Sequence, residues 1–567
     1  MADRDAGAEL IRALAGIVGR RDVLTSEGRT RRYRMGYRFG GGRALAVVRP
    51  GSLVELWRVV NACARAGVIL IVQAANTGLT GGSTPDGDDY DRPIVIVSAM
   101  RIAGIQLIRD GHQVICLPGS RLFELESIAA AAGREPHSRI GSSCIGASIL
   151  GGVCNNSGGA LIHRGPAFTQ MALYARIEPD RSVRLVNHLG VALGDDPETM
   201  LARLDRGELS EAEILDAPDR ACSDHHYQQH VREVDADTPA RYNNDPNRLF
   251  EASGSGGHVV VFAVRLDTFP REAETADFYI GTNDPAELSA IRRTILTHFA
   301  DLPIQGEYIH RSAFRLTERY GKDTFLAVRH LGAKRLPQLF AIKARIDAFC
   351  ARQSWMPRDL SDRIVQAAMS LLPSHLPERM RDFDRRFEHH LILRMGGTGI
   401  AEARDLLHQI FPSAQGDYFE CSKEEGEKAF LHRFAVAGAS IRYRALHRDT
   451  VEDFVALDVA HRRNDDDWDE KLPPALAEKI VGVSYCGHFF CHVFHRDYLL
   501  RKGEDAHAFE AAMLALLDAR GAEYPAEHNV GHLYPAKPAL AAHYRALDPT
   551  NSLNPGIGQT SRKADWA

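Results

Sequence analysis

The chain has 567 residues, of which 44% are hydrophobic and 25% charged, with a formal net charge of -5. Those proportions exclude a disordered, collagenous or coiled-coil protein and leave length for a large buried core. The mildly acidic balance and the lack of any reader motif exclude a nucleic-acid partner. No apolar run reaches the ~18 residues of a spanning helix. The N-terminus carries Asp3, Asp5 and Glu9 among its apolar residues, which predicts an amphipathic first helix and not a secretory signal. Nine cysteines without a C-x-x-C pair favour reduced thiols and a cytosolic setting. Any membrane contact is therefore expected to be peripheral.

Taken in chain order, Leu53 to Ala66 has helical periodicity and stops at Gly67, and Val68 to Val72 is a β-branched run. The turn-rich AANTGLTGGSTPDGDDYDRP follows, then a strand at Ile94 to Val97, another at Gln113 to Leu117 and a helix from Leu122 to Ala132. A second Gly/Ser/Asn-rich stretch, IGSSCIGASILGGVCNNSGG, precedes a strand at Val259 to Leu266. Beyond Thr268 the pattern turns α+β, Lys334 to Arg386 is expected to be helical and Arg-rich, and HHLILRM from His389 is strand-like. The organisation predicted is an α/β nucleotide domain interrupted by a large insertion and rejoined by the C-terminus.

The two glycine stretches carry the chemistry of the first half. In Ala74 to Ser83, Gly78, Gly81 and Gly82 permit close backbone approach, while Asn76, Thr77, Ser83 and Thr84 add donors. Consecutive amides in such a turn form an anion nest. Gly141 to Gly159 repeats the pattern with Ser142, Ser143, Ser148, Asn155, Asn156 and Ser157. Two ordinary glycine turns are the bland explanation. Neither stretch is a G-x-G-x-x-G fingerprint or a P-loop, so a nucleotide cofactor would be held in another way.

Several long segments then resemble one family. IVQAANTGLTGGSTPDGDDYDR, GREPHSRIGSSCIGASILGGVCNNSGGALIHRGPA, TPARYNNDPNRLFEASGSGG, GEYIHR, YGKDTF, PSHLPERM, EEGEKAFLHRFAVAGASIRY, YPAEHNVGHLY and DPTNSLNPGIG are similar to the quinone-dependent D-lactate dehydrogenases, peripheral bacterial flavoenzymes with a vanillyl-alcohol-oxidase-type FAD domain. The resemblance covers nearly the whole chain and is weakest around Lys334 to Met369. It implies an α+β / α/β architecture, with a two-subdomain PCMH-type FAD-binding domain over 1–266 (core about 40–266). A cap domain over 267–514 carries a membrane-contacting insertion at about 334–388, and 515–567 rejoins the FAD domain. It further implies noncovalent FAD on Ala74, Ala75, Asn76, Thr77, Gly78, Gly82, Ser83, Gly141, Ser148, Gly158 and Val261. Cys144 and Cys154, near these loops, read as small packing residues.

In the C-terminal half, YCGHFFCHVFHRDY places His488, His492 and His495 in an apolar run; on one straight strand 488 and 492 would share a face and 495 would oppose them unless the chain turns. The segment and AEHNVGH are similar to metal-binding motifs of related 2-hydroxyacid dehydrogenases, which implies a divalent metal on His488, His495 and Glu527. The G-D-G-N core of that motif is FCHV here. Two imidazoles and a carboxylate would suit Zn²⁺, Fe²⁺ or Mn²⁺; without metal they would form a polar site for the substrate's carboxylate and hydroxyl. His528, with an imidazole suited to proton transfer near neutrality, is the expected base. Arg433 and Arg442 are the candidates for a bidentate carboxylate clamp.

The expected reaction is oxidation of D-lactate to pyruvate, with electrons passing through FAD to a membrane quinone, ubiquinone or menaquinone. The expected location is the cytoplasmic face of the bacterial inner membrane, held by an anionic lipid surface. The Arg-rich stretch, with Arg345, Arg352, Arg358, Arg363, Arg379, Arg381, Arg385 and Arg386, is either a solvated helical face or the lipid contact. The rivals are the same chemistry on another D-2-hydroxy acid (glycolate, 2-hydroxyglutarate or 2-hydroxybutyrate), an oxidase using O₂, and a catalytically silent flavoprotein.

Overall fold

The structure, a computed structural model, describes residues 2–138, 143, 145–332, 335, 343, 346–347, 349–350, 353 and 359–567. The first sheet contains β1 (Val23–Leu24), β2 (Ala46–Val48), β3 (Ile69–Gln73) and β4 (Ile94–Ser98), in the order β1-β2-β4-β3. β2, β4 and β3 are parallel and β1 is antiparallel. Their sequences are continuously apolar because both faces are covered. Leu70, Val95 and Val97 pack against the helices Ala2–Val18 and Leu53–Arg65, while Ile69, Ile71 and Ile96 pack around Tyr33. The helix Leu53–Arg65 begins at Ser52, whose hydroxyl accepts from the Glu55 amide at 3.1 Å.

The chain continues through β5 (Ile105–Ile108), β6 (Gln113–Cys116), the short β7 (Arg134–Glu135), β8 (Ala172–Ile177), β9 (Val183–Asn187) and β10 (Val260–Asp267). Five of these form an antiparallel sheet in the order β5-β6-β10-β8-β9, and β11 (Phe269–Pro270) closes against β7. The C-terminus returns to the first sheet. Leu70 N donates to Ser552 O at 2.8 Å, and Asn554 N donates to Leu70 O at 2.9 Å.

Between these parts lies a seven-stranded antiparallel sheet: β12 (Thr275–Thr282), β13 (Gln305–His310), β14 (His389–Gly396), β15 (Gly416–Glu420), β16 (Val451–Ala460), β17 (Ile480–His488) and β18 (Val493–Arg501). The order is β15-β12-β14-β13-β17-β18-β16. Residue alternation splits its two faces. Phe278, Ile280, Tyr308, Leu391 and Leu393 meet the helices Pro285–His298 and Gly399–Ile410. Tyr279, Ile309, Ile392 and Cys486 lie under Arg311–Tyr320 and the 24-residue helix Lys423–Leu446. That second face positions the site. Of the Arg-rich stretch, helices are described at Leu360–Ser370 and Glu378–Arg386. Arg345, Arg352 and Arg358 lie outside the described residues.

Candidate active site

The straight-strand reading of the histidine run is corrected by the backbone. Phe489–Cys491 forms a tight turn and His492 takes a left-handed φ of 53°. β17 and β18 therefore fold into a hairpin, with Cys486 opposite His495. His488 and His495 come onto one face, their ring centroids 5.3 Å apart. His492 leaves the group, and its Nδ1 pairs with Arg462 O at 3.0 Å. The FCHV segment thus supplies the turn.

Glu527 arrives from the loop beyond Tyr524. Ligand atoms of His488, His495 and Glu527 all lie within 4.8 Å of one another. His488 is oriented from behind by a hydrogen bond to a second carboxylate, and His495 stands at ion-pair distance from a third. His488 Nδ1 is 2.8 Å from Glu307 Oε1 on β13, and His495 Nδ1 is 3.2 Å from Asp458 Oδ1 on β16. The Nε2 atoms then face Glu527 Oε2, at 3.2 and 3.7 Å. Carboxylate-backed imidazoles with Nε2 converging on a further carboxylate are a donor set that fits a divalent cation. Arg241, almost fully buried, donates to the other Glu527 oxygen and to Gly159 O.

Asp458 organises the second half of the cluster. Its Oδ2 accepts from the amides of Glu527 and His528 at 2.7 and 3.1 Å, and pairs with His528 Nδ1 at 2.7 Å. His528 keeps 35% of its side chain exposed, and its Nε2 has no hydrogen-bond partner among the described residues. Burial works against a charge on His528, but Asp458 outweighs it and raises the imidazole above its usual value of 6.5. For His488 burial is likewise outweighed, by Glu307 and Glu527, and its pKa is pushed up to about 10. Glu527 is desolvated, yet His488 and Arg241 hold its carboxyl far below the usual range.

Arg433 stands over this face from the long helix. Its Nε is 3.0 Å from Glu307 Oε2, and its buried Nη2 has no hydrogen-bond partner among the described residues. Arg442 does not join it. Nine residues at 3.6 per turn place it on the opposite side of the helix, where it pairs with Asp323 at 2.6 Å and Asp362 at 3.0 Å. The expectation of Arg442 as a clamp is corrected on that ground.

The first glycine loop borders the cluster. No backbone amide from Ala75 to Gly82 donates to a protein acceptor among the described residues. Asn76 adopts φ 52°, its side chain donates to Met35 O at 2.9 Å, and Ser83 Oγ bonds Asn76 Oδ1 at 3.1 Å. Around Gly78 a Cβ would meet nothing within 4 Å. This is an open cradle of free amides, and it fits the phosphates of a dinucleotide.

In the second loop Ser148 caps the helix Ile149–Cys154, accepting from Gly151 N at 3.2 Å. Gly158 touches the cluster itself: a Cβ there would fall 2.5 Å from Glu527 Oε1. Val261 is buried in β10 opposite Tyr174, just before a bulge. Cys154 packs half-buried, and burial raises its thiol to about 11. Gly141 and Cys144 lie outside the described residues.

Glu307, Asp458 and Arg241 were not singled out from sequence. Glu307 and Arg241 sit inside the matched segments GEYIHR and TPARYNNDPNR. For Asp458 the available signal was a lone carboxylate in an apolar strand, which must find partners if buried.

Comparison with known proteins agrees with this geometry. Residues 277–566 match the family model described as D-lactate dehydrogenase, membrane binding, and residues 44–177 match that of an FAD binding domain. The quinone-dependent D-lactate dehydrogenase of Haemophilus influenzae is 55% identical, covering 99% of both chains. That of Escherichia coli is 53% identical over 98% of this chain and 97% of its own. Among solved structures, p-cresol methylhydroxylase with substrate bound aligns at a TM-score of 0.58 and 12% identity, covering 98% of this chain and 97% of its own. That likeness shows the fold, a two-subdomain FAD-binding domain with an inserted cap. With relatives this similar over their whole length, the chain belongs to the quinone-dependent D-lactate dehydrogenase family.

Proposed function

We propose that the chain oxidises D-lactate to pyruvate on FAD and passes the electrons to a membrane quinone. The observation that carries this reading is the Asp458–His528 pair, with an open Nε2, set beside a cradle of free backbone amides. The names of the relatives supply the substrate and the acceptor. Bound FAD supplies the hydride acceptor and then the two-electron donor to quinone.

The chain's own residues do the rest. Arg433 uses its unpaired Nη2 to hold the substrate carboxylate. His528 Nε2 takes the hydroxyl proton as the C2–H bond breaks and the carbonyl forms, and Asp458 keeps that ring oriented and stabilises its charged form. The half-exposed edge of His528 returns the proton to solvent. A divalent ion held by His488, His495 and Glu527 would polarise the substrate hydroxyl. The cradle from Ala74 to Ser83, with Ser148, Gly158 and Val261, holds the dinucleotide.

Membrane association is peripheral. No described helix is long and apolar enough to cross a bilayer. Leu371, Leu372 and Ile364 are 87%, 44% and 61% exposed. They neighbour a cleft of about 600 Å³ whose lining includes Arg319, Arg363 and His447 with one carboxylate, Glu318; Lys322 lies buried at its wall and donates to Leu372 O at 2.6 Å. We assign this surface to anionic lipid and the cytoplasmic leaflet, where basic and apolar side chains together anchor a protein. Arg379, Arg385 and Arg386 are instead paired with Glu425, Asp382 and Asp417, a solvated face.

The test is quinone reduction by purified holoenzyme added to vesicles that contain quinone. D-lactate should drive it and L-lactate should not. Peroxide release in place of quinone reduction would show an oxidase.

A further inference from the structure

We propose that Arg38 is a second anchor for the substrate carboxylate, delivered to the cap from the N-terminal segment; this rests on the D-lactate reading above. Residues 35–42 are fixed against the first glycine loop. Asn76 donates to Met35 O, Gly87 N donates to Gly41 O at 2.8 Å, and a Cβ on Gly81 would fall 2.9 Å from Phe39 O. From that fixed backbone Arg38 reaches out of its own domain. Its Nη2 donates to Ala437 O at 3.4 Å, and its guanidinium lies 5.7 Å from the centroid of Phe454. Ala437 is one turn beyond Arg433 on the same helix. Phe454 is on β16, on the same face as Asp458.

Charge distribution argues for a free cation here. Glu307, Asp458 and Glu527 give the cluster three carboxylates, and Arg433, Arg241 and His488 pair with them, so the cluster offers an entering carboxylate no surplus of positive charge. The guanidiniums beside the cluster are engaged: Arg433 through its Nε with Glu307, and Arg241 with Glu527. Arg38 is exposed and makes no ion pair among the described residues. A single bond of 3.4 Å is long for a guanidinium–carbonyl contact, so the side chain can turn to a carboxylate at little cost. Arg433 from the cap and Arg38 from the FAD domain would then hold the substrate from two sides.

The experiment compares wild-type, Arg38→Met and Arg38→Lys holoenzymes with D-lactate and with its neutral isostere D-lactamide, following anaerobic flavin reduction. Where lactamide reduces the flavin too slowly, its inhibition constant against D-lactate is read instead. Arg38→Met should lose about tenfold or more in apparent affinity for D-lactate and less than about twofold for D-lactamide, and Arg38→Lys should recover part of the loss. Equal losses on both compounds would make Arg38 a domain latch and overturn the proposal, as would no loss on either. A wild-type flavin that D-lactate does not reduce would sink the substrate reading first, and this proposal with it.

Discussion

Replacing Asp458 with asparagine tests the site through its hydrogen-bond polarity. Oδ2 accepts three N–H groups, from Glu527 N, His528 N and His528 Nδ1, whereas Oδ1 faces only His495 Nδ1. The amide of Asp458→Asn must turn its NH₂ toward His495, the side that loses least. His495 Nδ1 then has to accept, so its Nε2 carries the proton and can no longer serve a cation. At His528 a charge-assisted bond becomes a neutral one, a loss of about 1–2 kcal/mol. At about 1.4 kcal/mol per decade, that is a fall of roughly 5- to 30-fold in the rate of flavin reduction. Cation affinity should fall by roughly 10- to 100-fold, as for other partners behind a metal-binding imidazole.

The pH profile carries the sign. His528 must be neutral to accept a proton, and Asp458 raises its pKa above 6.5. Reduction by wild type should therefore fall as pH drops through a midpoint above 6.5, and the variant's midpoint should lie lower. Anaerobic stopped-flow with saturating D-lactate reads both quantities. A rate within about twofold of wild type with an unmoved acid limb would refute the orienting role of Asp458.

Other substitutions test separate parts. Gly158→Ala puts a Cβ 2.7 Å from Glu527 Cδ and Cγ, so it should disturb Glu527 at about 1–3 kcal/mol, read as slower flavin reduction with flavin content retained. Arg433→Met should raise KM for D-lactate, while Arg442→Met should leave KM unchanged and lower the melting temperature, because it leaves Asp323 unpaired and Asp362 with Lys343 alone. Leu371→Asp with Leu372→Asp should weaken binding in a vesicle co-sedimentation assay and leave turnover with a soluble acceptor intact.

Much of the molecule was legible from local pattern. β3, β4 and β10 fall within one residue of the expected apolar runs, because strands buried on both faces are written as continuous Val and Ile. The glycine loops were legible because free amides and open space require residues without side chains. The partnership of His488 with His495 was carried by the resemblance and not by spacing, since a straight-strand periodicity places them apart. A left-handed residue at His492 reverses the chain, and no glycine or Asn-Gly pair announces that turn. Asp458 and Glu307 act through strand pairing with distant segments, a relation no local window contains. Arg442 looked equivalent to Arg433 by type and neighbourhood, and only the helical phase of nine residues separates them.

The most direct measurement is an anaerobic absorbance titration of the holoenzyme with D-lactate, then separately with L-lactate, followed by a quinone. D-lactate alone should bleach the oxidised flavin bands, and quinone should restore them. Bound flavin that D-lactate leaves oxidised would contradict it.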